Sequence, residues 1–133
     1  MFLNRLSAEQ KELFLDLCIH ASKSNNNFSV EEKQTIAQYC EEMHIEIRYD
    51  EENDLPAIAG RLAEISSEEE MRMILLETAG LLLSDNTYDE DEQKFFTALA
   101  DKLGLEKSQT DEVVGMLGEL SEIYKRINGF VFG

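Results

Sequence analysis

Between Ser84 and Glu92 the chain sets five carboxylates in nine residues: Asp85, Asp89, Glu90, Asp91 and Glu92. Three of them are spaced for a shared task. Asp89 stands three residues before Glu92, the pattern of a capping box that opens a helix, and Asp85 falls near the end of the helix before it. An anion at a helix C-terminus is disfavoured by roughly 0.3–1 kcal/mol, so Asp85 needs a compensating cation or a set of donors. Asp85, Asp89 and Glu92, together with loop carbonyls, therefore form a candidate site for a hard divalent cation, Ca²⁺ or Mg²⁺, which takes oxygen ligands. Carboxylates at the start of a helix are equally stable as caps without any metal, and both readings stand on the residues. The loop is not an EF-hand. Counted from Asp85, its sixth position is Glu90 where that loop needs Gly, and its twelfth is Phe96 where it needs Glu. An earlier loop, Asn25 to Asn27 and Phe28, has the same shape with amides in place of acids; it offers neutral oxygens and little charge, so no second cation is expected there.

Other chemistry is sparse. His20 and His44 each lack a Cys or His at ligand spacing. Cys18 and Cys40 are too few for a disulfide framework and too far apart for a metal knuckle; they read as small core residues of an intracellular protein. Glu77 shares a helical stripe with Glu70 and Ser84 and reads as the wet edge of its helix. No Ser-His-Asp arrangement, phosphate-cradling glycine loop or activated thiol is present. A non-enzymatic module is expected, a cation-binding one or a metal-independent protein-interaction adaptor; a small helical enzyme is the weakest reading and would need a deep pocket holding Glu77 or His20.

The elements that must position the acidic loop are written twice. Phe28-Ser29-Val30-Glu31-Glu32-Lys33 is echoed by Tyr88-Asp89-Glu90-Asp91-Glu92-Gln93 sixty positions later. Upstream, Leu13, Phe14, Leu17, Cys18 and Ala21 match Ile74, Leu75, Thr78, Ala79 and Leu82; downstream, Ile36, Cys40 and Ile45 match Phe96, Ala100 and Leu105. Capping pairs punctuate the helices: Ser7 with Gln10, Ser29 with Glu32, Ser67 with Glu70, Asp89 with Glu92. They predict a first helix to about Ser22, a second to about Met43, and a fourth that is apolar nearly all round and hence central. Pro56, the only proline, suits the first turn of a third helix that runs to about Ile65. Gly104 closes the fifth helix as a left-handed cap, with Leu105 packing back, and a sixth runs from about Gln109 to Ile127 with Gly129 as its stop. Ile45, Ile47 and Tyr49 alternate, but three residues do not make a sheet. The expected fold is all-α: a single domain over residues 1–133, a compact bundle of about six helices built from two helical hairpins related by a pseudo-twofold. Phe28 and Tyr88 are expected to anchor their loops to the core.

Twenty-eight acidic residues against twelve basic ones leave a formal charge of −16. That charge repels nucleic-acid phosphates and anionic lipid and favours cations or a basic protein partner. The spacer from His44 to Asp54, dense in acid around Arg48, is the candidate dock for such a partner, or a solvated surface. The start lacks a signal-peptide apolar region, and the most apolar stretch, Ile74 to Leu83, is half a membrane span and holds Glu77. A soluble, cytoplasmic protein is expected, with no direct membrane insertion. Gly115 and Gly118 inside the last helix imply that another helix approaches closely, in the same chain or in a dimer. Phe130, Val131 and Phe132 are apolar after the expected helix stop, and pack on their own core or mark an interface. A homodimer through the last helix and this tail is the expectation that joins the two features.

An apolar helix, an Asp-containing turn at Ser84-Asp85-Asn86-Thr87-Tyr88-Asp89-Glu90-Asp91-Glu92, then a capped acidic helix closing on Ala100-Asp101-Lys102-Leu103-Gly104-Leu105 resembles the TerB-like domain of tellurite-resistance and stress-response systems. The duplicated layout extends that resemblance over nearly the whole chain. It implies an all-helical fold without catalysis, a divalent cation held by Asp85, Asp89 and Glu92, and scaffolding in complexes at the membrane or with chaperone-like partners. The chain has Asp85-Asn86 where the family usually has Asp-Gly; Asn tolerates the left-handed geometry that Gly supplies.

Overall fold

Capping explains where the helices begin. The computed structural model describes residues 1–24, 28–84 and 89–133, and in these a short 3₁₀ turn, Leu3–Arg5, is followed by six α-helices: α1 Ala8–Lys23, α2 Val30–Met43, α3 Leu55–Ile65, α4 Glu68–Leu82, α5 Glu90–Lys102 and α6 Lys107–Phe132. No strand forms among the described residues, and Ile45 to Tyr49 run through an irregular stretch. Ser7, Ser29, Ser67 and Asp89 each accept from the backbone N–H three residues on, and the Gln or Glu there reaches back to the cap residue. Asp54 caps α3 through Ala57 N–H, with Pro56 in the first turn. Each cap contributes about 1 kcal/mol, and together they fix the register of the helices that pack on one another.

α1 lies at the centre. Every residue from Leu13 to Ile19 is buried, and the helix packs against α2, α3, α4 and α5. α4, expected to be central from its apolar circumference, shares that position and packs on α1, α2, α5 and α6. The repeat persists in atomic detail. Leu13, Phe14, Leu17, Cys18 and Ala21 are buried, and so are Ile74, Leu75, Thr78, Ala79 and Leu82. Ile45 N–H donates to the Cys40 carbonyl (3.1 Å) and Leu105 N–H to the Ala100 carbonyl (2.9 Å). The residue before each donor is left-handed, His44 at φ 58° and Gly104 at φ 77°. Both hairpins thus end their second helix with the same reversal, although only the second uses the residue type that adopts it freely.

Glu77 departs from its expected role. It is only 6% exposed, and its Oε1 accepts from Phe2 N–H (3.1 Å) and lies 3.0 Å from the Met1 ammonium. Glu42 on α2 completes the arrangement by accepting from Leu3 N–H (3.0 Å) and from Met1 (2.9 Å). The apparent wet edge of α4 is in fact the anchor of the first residues. Asp16, sixty-one positions earlier, does the same for the spacer. Fully buried on α1, it accepts from Glu52 N–H (3.0 Å), Asn53 N–H (3.2 Å), the Asn53 side-chain amide (2.8 Å) and the Arg48 guanidinium. Burial pushes its carboxyl up, but the hydrogen bonds from Glu52, Asn53 and Arg48 outweigh it and hold the group below the ordinary carboxylate range.

α6 departs from its expected length. It continues through Gly129 to Phe132, and the Gly133 N–H still donates to the Gly129 carbonyl (3.1 Å). A glycine stops a helix only where the chain needs a left-handed turn, and here nothing beyond it packs back to demand one. Gly115 and Gly118 are not crowded either: an added Cβ meets nothing within 4 Å at either position. The close approach falls at Gly80, where a Cβ would sit 3.1 Å from the Tyr39 hydroxyl, which itself donates to the Glu77 carbonyl (2.7 Å).

Asp16→Asn should cost about 3 kcal/mol at neutral pH, because it strips the charge from a buried, fully hydrogen-bonded pair. The lowered folded-state pKa makes this contribution complete above the unfolded carboxylate value and lost as pH falls through the folded one. Urea denaturation of both proteins should therefore show the gap at pH 7 closing below about pH 4. A gap that does not vary with pH would mean that packing, not charge, makes Asp16 matter.

Candidate functional site

Asp89 and Glu92 of the acidic loop form the capping box of α5. Asp89 Oδ1 accepts from Glu92 N–H (2.8 Å), and Glu92 Oε1 accepts from Asp89 N–H (3.2 Å). Glu92 is 1% exposed while Asp89 faces solvent. The first repeat builds the same box: Glu32, also 1% exposed, accepts from the Ser29 N–H and hydroxyl at 3.0 Å each. The structure thus brings Asp89 and Glu92 together at the start of α5; Asp85 lies outside the described residues. Asn25 to Asn27 and Tyr88 do too, whereas Phe28 is half-buried edge-on to Tyr49 (6.0 Å between ring centres), with Lys33 over its ring. Among the described residues, no group of three His, Cys, Asp or Glu side chains is placed to hold a metal.

Cys18 and Cys40 are buried free thiols, and burial raises both pKa values, which keeps them protonated and unreactive. His20 Nε2 lies 2.8 Å from the Asn53 carbonyl, tying α1 to the spacer, and His44 is exposed at its left-handed cap.

The spacer's acids are largely occupied within the chain. Arg48 is ringed by Asp16, Glu12 and Glu52, Lys23 pairs with Asp50 and Glu51, Glu42 holds the first residues, and Asp54 caps α3. Much of what reads in the sequence as a free acidic surface is internal wiring, which leaves less of it to meet a basic partner.

A run of exposed apolar residues lies on α6. The first half of the helix packs on α4 and α5, with Thr110 buried and Val113, Val114 and Leu117 against the core. Beyond Ser121 every residue is exposed, including Ile123, Tyr124, Ile127, Phe130, Val131 and Phe132. Phe130 is 90% exposed. A groove of about 370 Å³ runs between α4 and α6, lined in part by Phe2, Met73, Leu76, Val113 and Met116 and in part by charged and polar residues of both helices; neither Glu77 nor His20 lines it. Exposed apolar residues thus continue along the helix after the packed body ends. The sequence signal was present in the i, i+3, i+4 spacing of these residues, but the expected stop at Gly129 separated Phe130 to Phe132 from the helix to which they belong.

No described helix is long and apolar enough to cross a membrane. The fold and its surface define an all-α bundle with a half-packed terminal helix. Comparison with protein-family models, with curated proteins and with solved structures finds no match.

Asp89→Ala should destabilise the protein by about 1 kcal/mol in metal-free buffer, since it removes the cap of α5. Chemical denaturation in the presence of a chelator measures this directly. A variant as stable as the parent would show that Glu92 alone suffices to start the helix.

Proposed function

We propose that this chain is a non-enzymatic acidic helical module that acts by docking protein on α6, working in the cytoplasm in the manner of the TerB-like stress-response and tellurite-resistance domains that it resembles. One observation carries the reading: residues 122–132 form about three turns of helix in which every residue is exposed, large apolar side chains included. Exposing that much apolar surface weakens solubility, a cost the high negative charge offsets. A basic protein is the alternative occupant on grounds of net charge, with the exposed acids of the spacer and of the first turns of α4 and α5 as its landing surface. The test is a chain ending at Leu120. It should unfold cooperatively at nearly the parental midpoint when both are measured at low protein concentration, with only the helical signal of the missing turns lost. If it melts, those residues support their own core and the docking reading fails.

A divalent cation at Asp85, Asp89 and Glu92 remains the second reading. The observation in its favour is the burial of the Glu92 carboxylate, beside Asp89, in a protein already carrying a formal charge of −16. A ligand that binds only the folded state raises the melting temperature with dose, so millimolar Ca²⁺ or Mg²⁺ should do so beyond a matched ionic-strength control, and Asp85→Asn should abolish the increment. No increment in the parent protein would sink the cation reading and leave docking on α6 untouched.

A further inference from the structure

Resting on that docking reading, we propose that the occupant of the α6 face is a second copy of this chain, paired antiparallel through α6. Val113, Met116, Leu120, Ile123, Ile127 and Phe130 recur at alternating steps of three and four, the seam of a coiled coil. They run about 26 Å along the helix. A twofold interface needs residue i to meet j and j to meet i, and these six positions are mirror-symmetric about the peptide between Ser121 and Glu122. With that point on the axis, Val113 faces Phe130 of the second copy, Met116 faces Ile127, and Leu120 faces Ile123.

The flanking positions select the antiparallel sense. On one side of the seam Glu119 meets Arg126 of the second copy, and on the other Leu117 meets Tyr124. Symmetry repeats both contacts. Neither Glu119 nor Arg126 has an ion-pair partner among the described residues of its own chain, whereas the neighbouring Lys125 pairs with Glu122 at 3.2 Å. In a parallel pair Glu119 would face Tyr124 and Arg126 would face Val131, leaving both charges idle and stacking two bodies of like charge side by side.

The groove supplies the ends of the interface. On the α6 side it is lined by Gln109, Glu112, Val113 and Met116, and the last two are the positions where Phe130 and Ile127 of the second copy arrive. Met73, Leu76 and Phe2 line the opposite side together with Glu69 and Arg72, so Phe130, 90% exposed in one chain, ends against apolar side chains instead of in water. Gly115 and Gly118 fall outside the seam, in accord with the open space around them.

The two bodies carry a formal −16 each, so added salt should tighten this dimer by screening their repulsion, the reverse of an association driven by charge attraction. Sedimentation equilibrium of the full chain should show a monomer–dimer equilibrium that shifts toward dimer between 50 mM and 500 mM NaCl, conditions chosen to bracket the screening range. Ile123→Glu should leave only monomer. At about 100 mM NaCl, Glu119→Arg or Arg126→Glu alone should weaken the dimer about fivefold, and the two together should restore it. A parent protein that stays monomeric at all concentrations overturns the proposal, and so does a double variant no better than the singles. If the chain ending at Leu120 folds while the full chain stays monomeric, docking on α6 survives with another partner; if that shorter chain melts, both readings fall.

Discussion

Two buried carboxylates hold the irregular parts of this molecule to its centre. A carboxylate without water needs donors, and Asp16 on α1 and Glu77 on α4 take theirs from segments that have no helical ladder of their own. Asp16 gathers the backbone and side-chain donors of the spacer; Glu77 gathers the backbone at Phe2. The exchange satisfies both parties, because a loop lying against the body has N–H groups to place and a buried anion has lone pairs to fill. The same helical register in the two halves puts both acids on the face where a chain segment crosses. Two further parts of the molecule depend on them: the spacer's path sets the cap of α3, and the seating of Phe2 forms one wall of the groove beside α6.

The acidity has a structural origin before it has a surface meaning. Glu31 and Glu32, Glu68 to Glu70, and Glu90 to Glu92 occupy the first turns of α2, α4 and α5, where the helix dipole favours negative charge. Others are engaged by Arg48, Arg61 and Lys23. Net charge read from composition therefore overstates the field available for binding. It does not overstate the long-range repulsion between two such bodies, which acts on the total.

Local rules made most of the fold readable. Four capping pairs, the proline of α3 and the left-handed Gly104 are signals carried by a few adjacent residues, and each falls where the sequence places it. The duplication was readable because it repeats the core pattern as well as the caps. Less readable were features whose cause is distant in sequence. Glu77 looked solvated because its partners, Phe2 and Met1, lie seventy-five and seventy-six residues away. Nothing local marks Asp16, an acid inside an apolar run, as the hub of a remote loop. Gly80 against Tyr39 is likewise a tertiary fact, and Gly129 misled because a glycine permits a stop without imposing one. Of the acidic trio, capping at Asp89 and Glu92 was legible from spacing alone, whereas cation binding depends on three-dimensional convergence that includes Asp85.

The outer half of α6 is a helix attached at one end only. A stretch of that length is marginal in water on its own propensity, and Gly129 weakens it further. Its upstream half, clamped on α4 and α5, acts as the preformed nucleus from which the outer turns propagate. Docking would therefore also have to meet the entropic cost of keeping those turns wound. Affinity per unit of buried surface falls accordingly, and dissociation quickens. A contact built this way favours turnover over permanence, a property that a rigid, fully packed helix of the same sequence length could not provide.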